Sequence, residues 1–206
     1  MQVLMINGGP HKRGCTYTAL SEVAGELEKA GIETNIFHIG DKAIRGCIGC
    51  GGCLESGYCV FEDDSVNVCI DLARKADGIV VGSPVYFAGP SGSLCAFLDR
   101  MFFGKGAGYA YKPAAAIVNC RRGGASAAFD RLNKYFTISG MPIVSSQYWN
   151  ATHGLTPEEV RQDLEGLQTM RTLGQNMAWL LRCIEAAEGT VPRPEREPWL
   201  MTSFIR

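Results

Sequence analysis

Residues 3–20 read VLMINGGPHKRGCTYTAL, and their pattern predicts the fold class. A short β-rich apolar run, Val3 to Ile6, ends at Asn7-Gly8-Gly9-Pro10, and an amphipathic helix follows over Thr16 to Ala30, closed by Gly31. A strand that passes through a glycine turn into a helix is the first half of a βαβ unit. The stretch therefore predicts an α/β protein whose parallel sheet binds its ligand beyond the carboxyl ends of the strands.

The same alternation continues along the chain. Further strands are predicted at 33–39, 78–82, 114–119 and 142–146, and helices at 63–75, 91–102, 125–138 and from Thr156 to about Ala187. Five strands alternating with helices predict a doubly wound parallel sheet between two helical layers. Residues 1–188 then form one domain, and the proline-rich residues 189–206 form a C-terminal tail.

The composition narrows the possible functions. The chain has 206 residues, 20 basic and 21 acidic, which fits one domain and gives no positive field for nucleic acid. No apolar run reaches the roughly 20 residues that a membrane helix needs, and the N-terminal run is too short for a signal peptide. Nine cysteines, four of them within thirteen residues, do not resemble the disulfide framework of a small secreted domain. We therefore expect a cytoplasmic protein without nucleic-acid or membrane partners.

The first loop, between the first strand and the first helix, has the features of a phosphate-binding turn. Glycine allows close backbone approach, basic residues add positive charge, and a helix N-terminus presents free N–H groups. The loop matches neither a P-loop nor a G-x-G-x-x-G fingerprint, and the alternative is an ordinary turn with a threonine N-cap. Its candidate ligand contacts are Gly9, His11, Lys12, Cys15, Thr16 and Thr18.

Two further loops follow predicted strands, where they would flank a flat ring. The second loop, residues 83–90, reads SPVYFAGP and places aromatic side chains beside a tight turn. The third loop, residues 119–124, reads NCRRGG and combines a glycine pair with arginines that would stabilise a reduced ring. The alternatives are ordinary aromatic packing and a solvated surface turn. The candidate contacts here are Pro84, Val85, Tyr86, Phe87, Ala88, Gly89, Asn119, Arg121, Gly123 and Gly124.

Together these segments resemble a known family over nearly the whole chain. The segments are GGP-HK-G-x-T in the first loop, SPVY followed by SG-x-L and Asp99-Arg100, R-x-GG in the third loop, and TSFIR at residues 202–206. They are similar to the flavodoxin-like NADPH-dependent FMN reductase group and, within it, to the iron–sulfur flavoproteins. The resemblance implies a flavodoxin-like fold with strand order 2-1-3-4-5, FMN as cofactor, and a homodimer or homotetramer.

The resemblance also implies where FMN lies. Its phosphate would rest in the first loop, with Thr16 as the matching hydroxyl, and the second and third loops would border the isoalloxazine. Gly9, His11 and Cys15 stand where the family often has serine, arginine and asparagine or serine. These departures weaken side-chain contacts to the phosphate and leave the backbone contacts intact.

Residues 41–62, the cysteine-rich loop, interrupt the regular alternation after the second strand and hold Cys47-x2-Cys50-x2-Cys53-x5-Cys59. Iron–sulfur clusters commonly take four thiolate ligands, and short glycine-containing spacers let a chain wrap around one. Zinc is a rival because it also accepts four thiolates, although its structural sites usually set two pairs well apart. Free thiols without metal are the third interpretation. The spacing favours a single [4Fe-4S] cluster, as the resemblance also implies.

These features lead to three hypotheses for the function. The first is an FMN-dependent oxidoreductase and electron-transfer iron–sulfur flavoprotein, in which the cofactors carry the chemistry and no side chain is a nucleophile. NAD(P)H or a ferredoxin-type carrier would supply its electrons, and a small molecule would accept them. The second is an NAD(P)H-dependent FMN or quinone reductase without a cluster. The third is a non-enzymatic redox sensor that uses the loop thiols.

Overall fold

The computed structural model describes residues 1–104, 108–195, 197–198, 200–202 and 204, so residues 203, 205 and 206 of the terminal TSFIR match lie outside it. The strands are β1 (Gln2–Asn7), β2 (Glu33–His38), β3 (Gly78–Tyr86), β4 (Gly89–Pro90), β5 (Ala114–Cys120) and β6 (Ala151–His153). The helices are α1 (Cys15–Lys29), α2 (Cys53–Ser56), α3 (Val66–Lys75), α4 (Gly92–Phe103), α5 (Ala125–Ile138), α6 (Pro157–Gln162) and α7 (Leu164–Ala187). None of the helices in the described ranges is long and apolar enough to cross a membrane.

Five parallel strands form the central sheet in the order β2-β1-β3-β5-β6, and β4 pairs antiparallel with β3 as a short hairpin. Side chains alternate between the faces: Val3 and Met5 pack with α1 and α7, while Leu4 and Ile6 pack with α3, α4 and α5. The predicted three-layer, doubly wound architecture is therefore confirmed. The predicted order 2-1-3-4-5 is also the order of the five parallel strands, with the unpredicted β4 as an addition.

The fifth parallel strand lies later in the chain than predicted. Residues 142–146 meet the sheet only at a single bridge, where the Ala114 N–H donates to the Pro142 carbonyl and the Val144 N–H donates to the Ala114 carbonyl, both at 2.8 Å. The chain then leaves the sheet and returns as β6. The prediction of a strand over Pro142 to Ser146 was wrong, because a side chain supplies hydrogen bonds that a continuous strand would make.

That side chain belongs to Asn150, which is 1% exposed. Its Nδ2 donates to the Ala116 carbonyl at 3.0 Å, and its Oδ1 accepts from the Ser146 hydroxyl at 2.7 Å. Its backbone carbonyl accepts from the Val118 N–H at 3.0 Å. The edge of β5 is therefore paired partly by an amide side chain, which satisfies a backbone group that would otherwise be buried alone.

We expect Asn150→Ala to lower the free energy of unfolding by about 1–3 kcal/mol, because the Ala116 carbonyl loses its partner inside the protein. Unfolding in guanidinium chloride measures this loss of free energy. The midpoint should fall, while the dependence of the unfolding free energy on denaturant concentration should stay unchanged. Gln147→Ala, in the same segment but exposed, is the matched control and should stay within about 0.5 kcal/mol of the parent protein. Equal effects of the two substitutions would contradict the role given to Asn150.

The helix predicted from Thr156 to about Ala187 is in fact two helices. α6 ends at Gln162, and Asp163 caps α7, since its Oδ1 accepts from the Gly166 N–H at 3.0 Å. Its Oδ2 accepts from the His153 N–H at 2.7 Å. The prediction of one helix was wrong because an aspartate carboxylate that bonds backbone N–H groups favours a helix start over a helix interior. This start is thereby tied to the carboxyl end of β6.

Candidate functional site

The first loop joins β1 to α1 at the carboxyl edge of the sheet. α1 begins at Cys15 after Gly14, which has no side chain to cap the helix, and its first turn holds no acidic residue. The first N–H groups of α1 are therefore left for an anion. His11 and Lys12 lie exposed beside them, and burial raises the pKa of the Cys15 thiol, which favours its neutral form.

Hydrogen bonds within and around the first loop set its shape. Asn7 Oδ1 accepts from the Gly9 N–H at 3.0 Å, and Asn7 Nδ2 contacts the Lys12 carbonyl at 3.3 Å. His38 Nε2 lies 2.8 Å from the Gly9 carbonyl. A Cβ added to Gly9 would come 3.0 Å from Thr16 Oγ1. The structure thus brings two predicted contacts, Gly9 and Thr16, together at the start of α1.

Thr18 lies one turn along α1 and has a different role. Its hydroxyl donates to the Gly14 carbonyl at 3.2 Å, within the helix's own first turn. The side chain is half-buried. This bond engages the Thr18 hydroxyl within α1, whereas the Thr16 hydroxyl lies beside Gly9, so Thr16 is the better-placed hydroxyl.

The second loop, residues 83–90, forms a hairpin that consists of the last residues of β3, a two-residue turn and β4. Phe87 and Ala88 form this turn with φ values of +49° and +60°, in the left-handed region that only glycine and asparagine adopt easily. Phe87 is fully exposed and Tyr86 is 47% exposed, although both are aromatic. Two strained non-glycine residues, one presenting an exposed phenyl ring, are typical of a ligand-binding turn, where strain is retained for function.

We expect Phe87→Asn combined with Ala88→Gly to stabilise the flavin-free protein by about 1 kcal/mol, because Asn-Gly suits this turn. The same change should weaken FMN binding several-fold, because the exposed phenyl face is lost. Thermal unfolding and flavin titration measure the two effects. Ala88→Gly alone should raise stability and keep FMN affinity. If the double variant binds FMN as well as the parent protein does, Phe87 is not a ring contact.

The third loop lies against the second. Gly124 has φ +87°, and a Cβ added there would come 2.8 Å from Ala88 Cα. Arg121 and Gly123 are exposed beside this contact. Asn119 is buried, and its Nδ2 lies 3.1 Å from both the carbonyl and the hydroxyl of Thr152. The Asn119 amide therefore joins β5 to β6.

Ser91 connects the second loop to the first. Its hydroxyl donates to the Gly8 carbonyl at 3.0 Å and accepts from the Leu94 N–H at 3.2 Å as the N-cap of α4. Its own N–H donates to Ser83 Oγ at 3.0 Å. The sequence did not predict the bond to Gly8, because it joins residues 83 positions apart. All three predicted ligand loops therefore meet at one edge of the sheet.

A cavity of about 400 Å³ lies beside the third loop. Gly123 and Gly124 line one side, and Trp149 and Thr169 line others. Trp149 is 57% exposed. Sequence reasoning did not find this cavity, because its walls come from segments that meet only after β6 and α7 have packed against the sheet.

The cysteine-rich loop brings its four predicted ligands to one place. Cys47, Cys50, Cys53 and Cys59 line a single cavity. Burial raises the pKa of the Cys53 thiol, and the charges of the other three thiols raise it further, so the four groups interact electrostatically. Binding to positively charged iron would relieve this repulsion between thiolates.

The loop is held on α3 and α4 by polar contacts. Asn67 Oδ1 accepts from the Cys59 N–H at 2.8 Å, and its Nδ2 donates to the Cys59 carbonyl at 2.9 Å. Arg74 donates to the Gly57 carbonyl at 2.7 Å and stacks over the Tyr58 ring at 4.3 Å. These bonds order the segment around Cys59 through protein contacts alone.

The donor set fits an iron–sulfur cluster. Within the described ranges, no group of three or more His, Cys, Asp or Glu side chains is close enough together to hold a single metal ion. In a four-iron cluster each thiolate binds its own iron, so the four sulfurs surround a larger object than one ion. Four thiols around one cavity are compatible with that arrangement.

Comparison with known proteins identifies the family of this chain. Residues 1–156 match the family of NADPH-dependent FMN reductases. An iron-sulfur flavoprotein from Methanocaldococcus jannaschii is 32% identical over 193 residues, which cover 90% of this chain and 100% of that protein.

Two solved structures share the fold. The flavodoxin, WrbA-like protein from Agrobacterium tumefaciens has a TM-score of 0.61 at 20% identity, covering 88% of this chain and 97% of its own. RosB with bound 8-demethyl-8-formylriboflavin-5'-phosphate has a TM-score of 0.69 at 17% identity, covering 100% and 94%. The fold is thus flavodoxin-like, and the chain belongs to the NADPH-dependent FMN reductase family, as an FMN-dependent oxidoreductase.

Proposed function

We propose that this protein is an iron–sulfur flavoprotein, which exchanges electrons through FMN at the carboxyl edge of the sheet and a [4Fe-4S] cluster in the cysteine-rich loop. The observation that carries the proposal is the arrangement of Cys47, Cys50, Cys53 and Cys59 around one cavity. Four thiols placed so in a chain of the FMN reductase family favour a redox cluster over a purely structural loop.

The residues of the first loop would hold the FMN phosphate. The uncapped N–H groups of α1 would donate to it, Lys12 and His11 would add positive charge, and the Thr16 hydroxyl lies beside Gly9 at the same edge. Bound FMN accepts a hydride at once and releases electrons singly, which is the chemistry that the cofactor supplies.

The second and third loops would position the ring. Tyr86 and Phe87 present exposed aromatic faces, and the close contact between Ala88 and Gly124 holds the two loops together. Arg121 is exposed at the start of the third loop, where its charge would favour a reduced, anionic ring. The protein's part in the reaction is therefore positioning and electrostatics.

The cysteine cavity lies at the other end of α4 from the second loop. α4 begins at Gly92, directly after Ser91, and ends at Phe103, which lines the cavity. Its 12 residues span roughly 18 Å at 1.5 Å per residue. Cys47 and Cys50 are exposed, so a one-electron protein carrier of ferredoxin type can approach the loop while NAD(P)H and a small-molecule acceptor use the flavin edge.

We further propose a homodimer or homotetramer. Large apolar side chains are exposed on helices of both outer layers: Ile138 is 82% exposed on α5 and Trp179 is 68% exposed on α7. Apolar surface of this kind supports contacts between copies. Light scattering of the purified protein gives the number of chains directly.

Anaerobic purification followed by iron, sulfide and FMN analysis tests the function. We expect about four irons, about four sulfides and about one FMN per chain, with broad absorption near 400 nm from thiolate-bound iron. A yellow, iron-free protein that oxidises NAD(P)H would identify a reductase without a cluster. A protein with neither flavin nor iron would overturn the proposal, and a reversible thiol change without NAD(P)H turnover would instead support a redox sensor.

A further inference from the structure

Arg100 lies behind the cysteine-rich loop, in the buried face of α4. Its side chain is 1% exposed, and its guanidinium points into the loop. Nη1 donates to the Arg45 carbonyl at 3.2 Å, and Nη2 lies 3.4 Å from the Phe61 carbonyl. The remaining donor, Nε, lies 3.1 Å from the sulfur of Cys59. Arg100 therefore contacts one of the four proposed cluster ligands directly.

Asp64 balances the charge of this buried arginine. Its carboxylate accepts from both terminal nitrogens of Arg100, with the Nη2–Oδ1 bond at 3.1 Å, and its side chain is 12% exposed. The paired hydrogen bonds to Asp64 compensate for the burial of the guanidinium, which stays charged as arginine does in proteins. Arg100 and Asp64 together carry almost no net charge. The Nε–H of Arg100 faces the Cys59 sulfur, whereas the Asp64 carboxylate bonds Nη1 and Nη2.

Anchoring the loop does not require the bond to sulfur. Asn67 already holds the backbone of Cys59 on both sides, and Arg74 holds Gly57. Hydrogen bonds to cluster sulfurs and nearby charge set the reduction potential of iron–sulfur clusters. One-electron reduction adds a negative charge to the cluster, and a donor N–H with a positive charge behind it stabilises that added charge.

We propose that Arg100 sets the reduction potential of the cluster through its Nε–H bond to Cys59, and that Asp64 sets how much of the Arg100 charge the cluster experiences. The inference rests on the proposed function, because it needs a cluster on Cys59. Arg100 is a positioning residue in this scheme, because it acts through Cys59. The two partners should act in opposite directions, which a purely structural role would not produce.

Potentiometric titration of the holoprotein, followed by electron paramagnetic resonance, tests this. Arg100→Gln should lower the equilibrium constant for cluster reduction at least tenfold, which is about 59 mV for one electron. Asp64→Asn should raise the constant several-fold, because it leaves the Arg100 charge uncompensated. Arg74→Gln is the matched control: it removes an equal charge from another anchor of the same loop, which contacts Gly57, Tyr58 and Asp71, and it should leave the potential unchanged.

If Arg100→Gln does not fold or does not retain iron, Arg100→Lys is measured in its place. It keeps the positive charge and removes the Nε–H, so it should still lower the constant. Opposite shifts for the Arg100 variant and Asp64→Asn support the proposal. Shifts in the same direction, or no shift in either, overturn it while the cluster itself stands. If the parent protein contains no iron, the proposed function is overturned, and the role of Arg100 in setting the reduction potential is overturned as well.

Discussion

Replacing Cys50 with serine is expected to prevent binding of the proposed iron–sulfur cluster and to leave FMN binding intact. Cys50 is exposed, so its side chain contributes little to packing, yet it lines the cavity with the other three thiols. A cluster with one thiolate missing has an incomplete ligand set. We expect iron to fall from about four per chain to less than about one, with FMN unchanged at about one, after anaerobic purification.

The FMN is expected to remain because its loops are separate from the cysteine cavity. The second loop leads into the start of α4, and the cavity lies at the end of α4, 12 residues later. Cys183→Ser is the matched control, since Cys183 is also exposed but lies on α7, and it should keep both iron and FMN. Full iron in Cys50→Ser would show that Cys50 is not a ligand. Joint loss of iron and flavin would show that the loop belongs to the FMN site.

Replacing Gly124 with alanine should weaken FMN binding at least tenfold. The residue has φ +87°, and the new Cβ would lie 2.8 Å from Ala88 Cα, which is backbone and cannot move aside like a side chain. A non-glycine residue held in the left-handed backbone region costs of order 1–3 kcal/mol in strain. A difference of about 1.4 kcal/mol corresponds to a tenfold change in affinity. Relief of the contact must separate the second and third loops, which are proposed to border the ring.

Gly92→Ala is the matched control for this change. A Cβ added to Gly92, at the start of α4 and outside the candidate FMN contacts, meets no described atom within 4 Å, so this substitution adds the same methyl group without the clash. Flavin fluorescence titration of the flavin-free proteins measures both dissociation constants, and circular dichroism checks that each variant folds. Equal affinities for the two variants would contradict the place given to Gly124 in the FMN site.

Local patterns predicted much of this molecule correctly. The strand, glycine turn and helix of residues 3–20 appear as β1, the first loop and α1, because hydrophobic periodicity and glycine placement act over a few residues. α5 spans Ala125–Ile138, as predicted. The four clustered cysteines meet at one cavity, since short spacers leave them few alternatives.

The errors occurred where a polar side chain bonds a distant backbone group. Asn150 replaces part of a strand by bonding Ala116, 34 residues away, and Asp163 ends one helix and begins another while bonding His153. Neither bond changes the pattern of apolar residues on which the strand and helix predictions depend. Hydrogen bonds between segments are therefore missed by periodicity.

By itself, the amino-acid sequence determined the alternating α/β order, the glycine turn at the first ligand loop and the set of four clustered thiols, because all three depend on neighbours in the chain. Only the tertiary structure decided that Arg100 faces Cys59, 41 residues away, and that Gly124 lies against Ala88. Such contacts arise when α4 packs beneath the cysteine-rich loop and when the carboxyl ends of β3 and β5 come together. Their geometry depends on the packing of whole elements, which no short stretch of residues encodes.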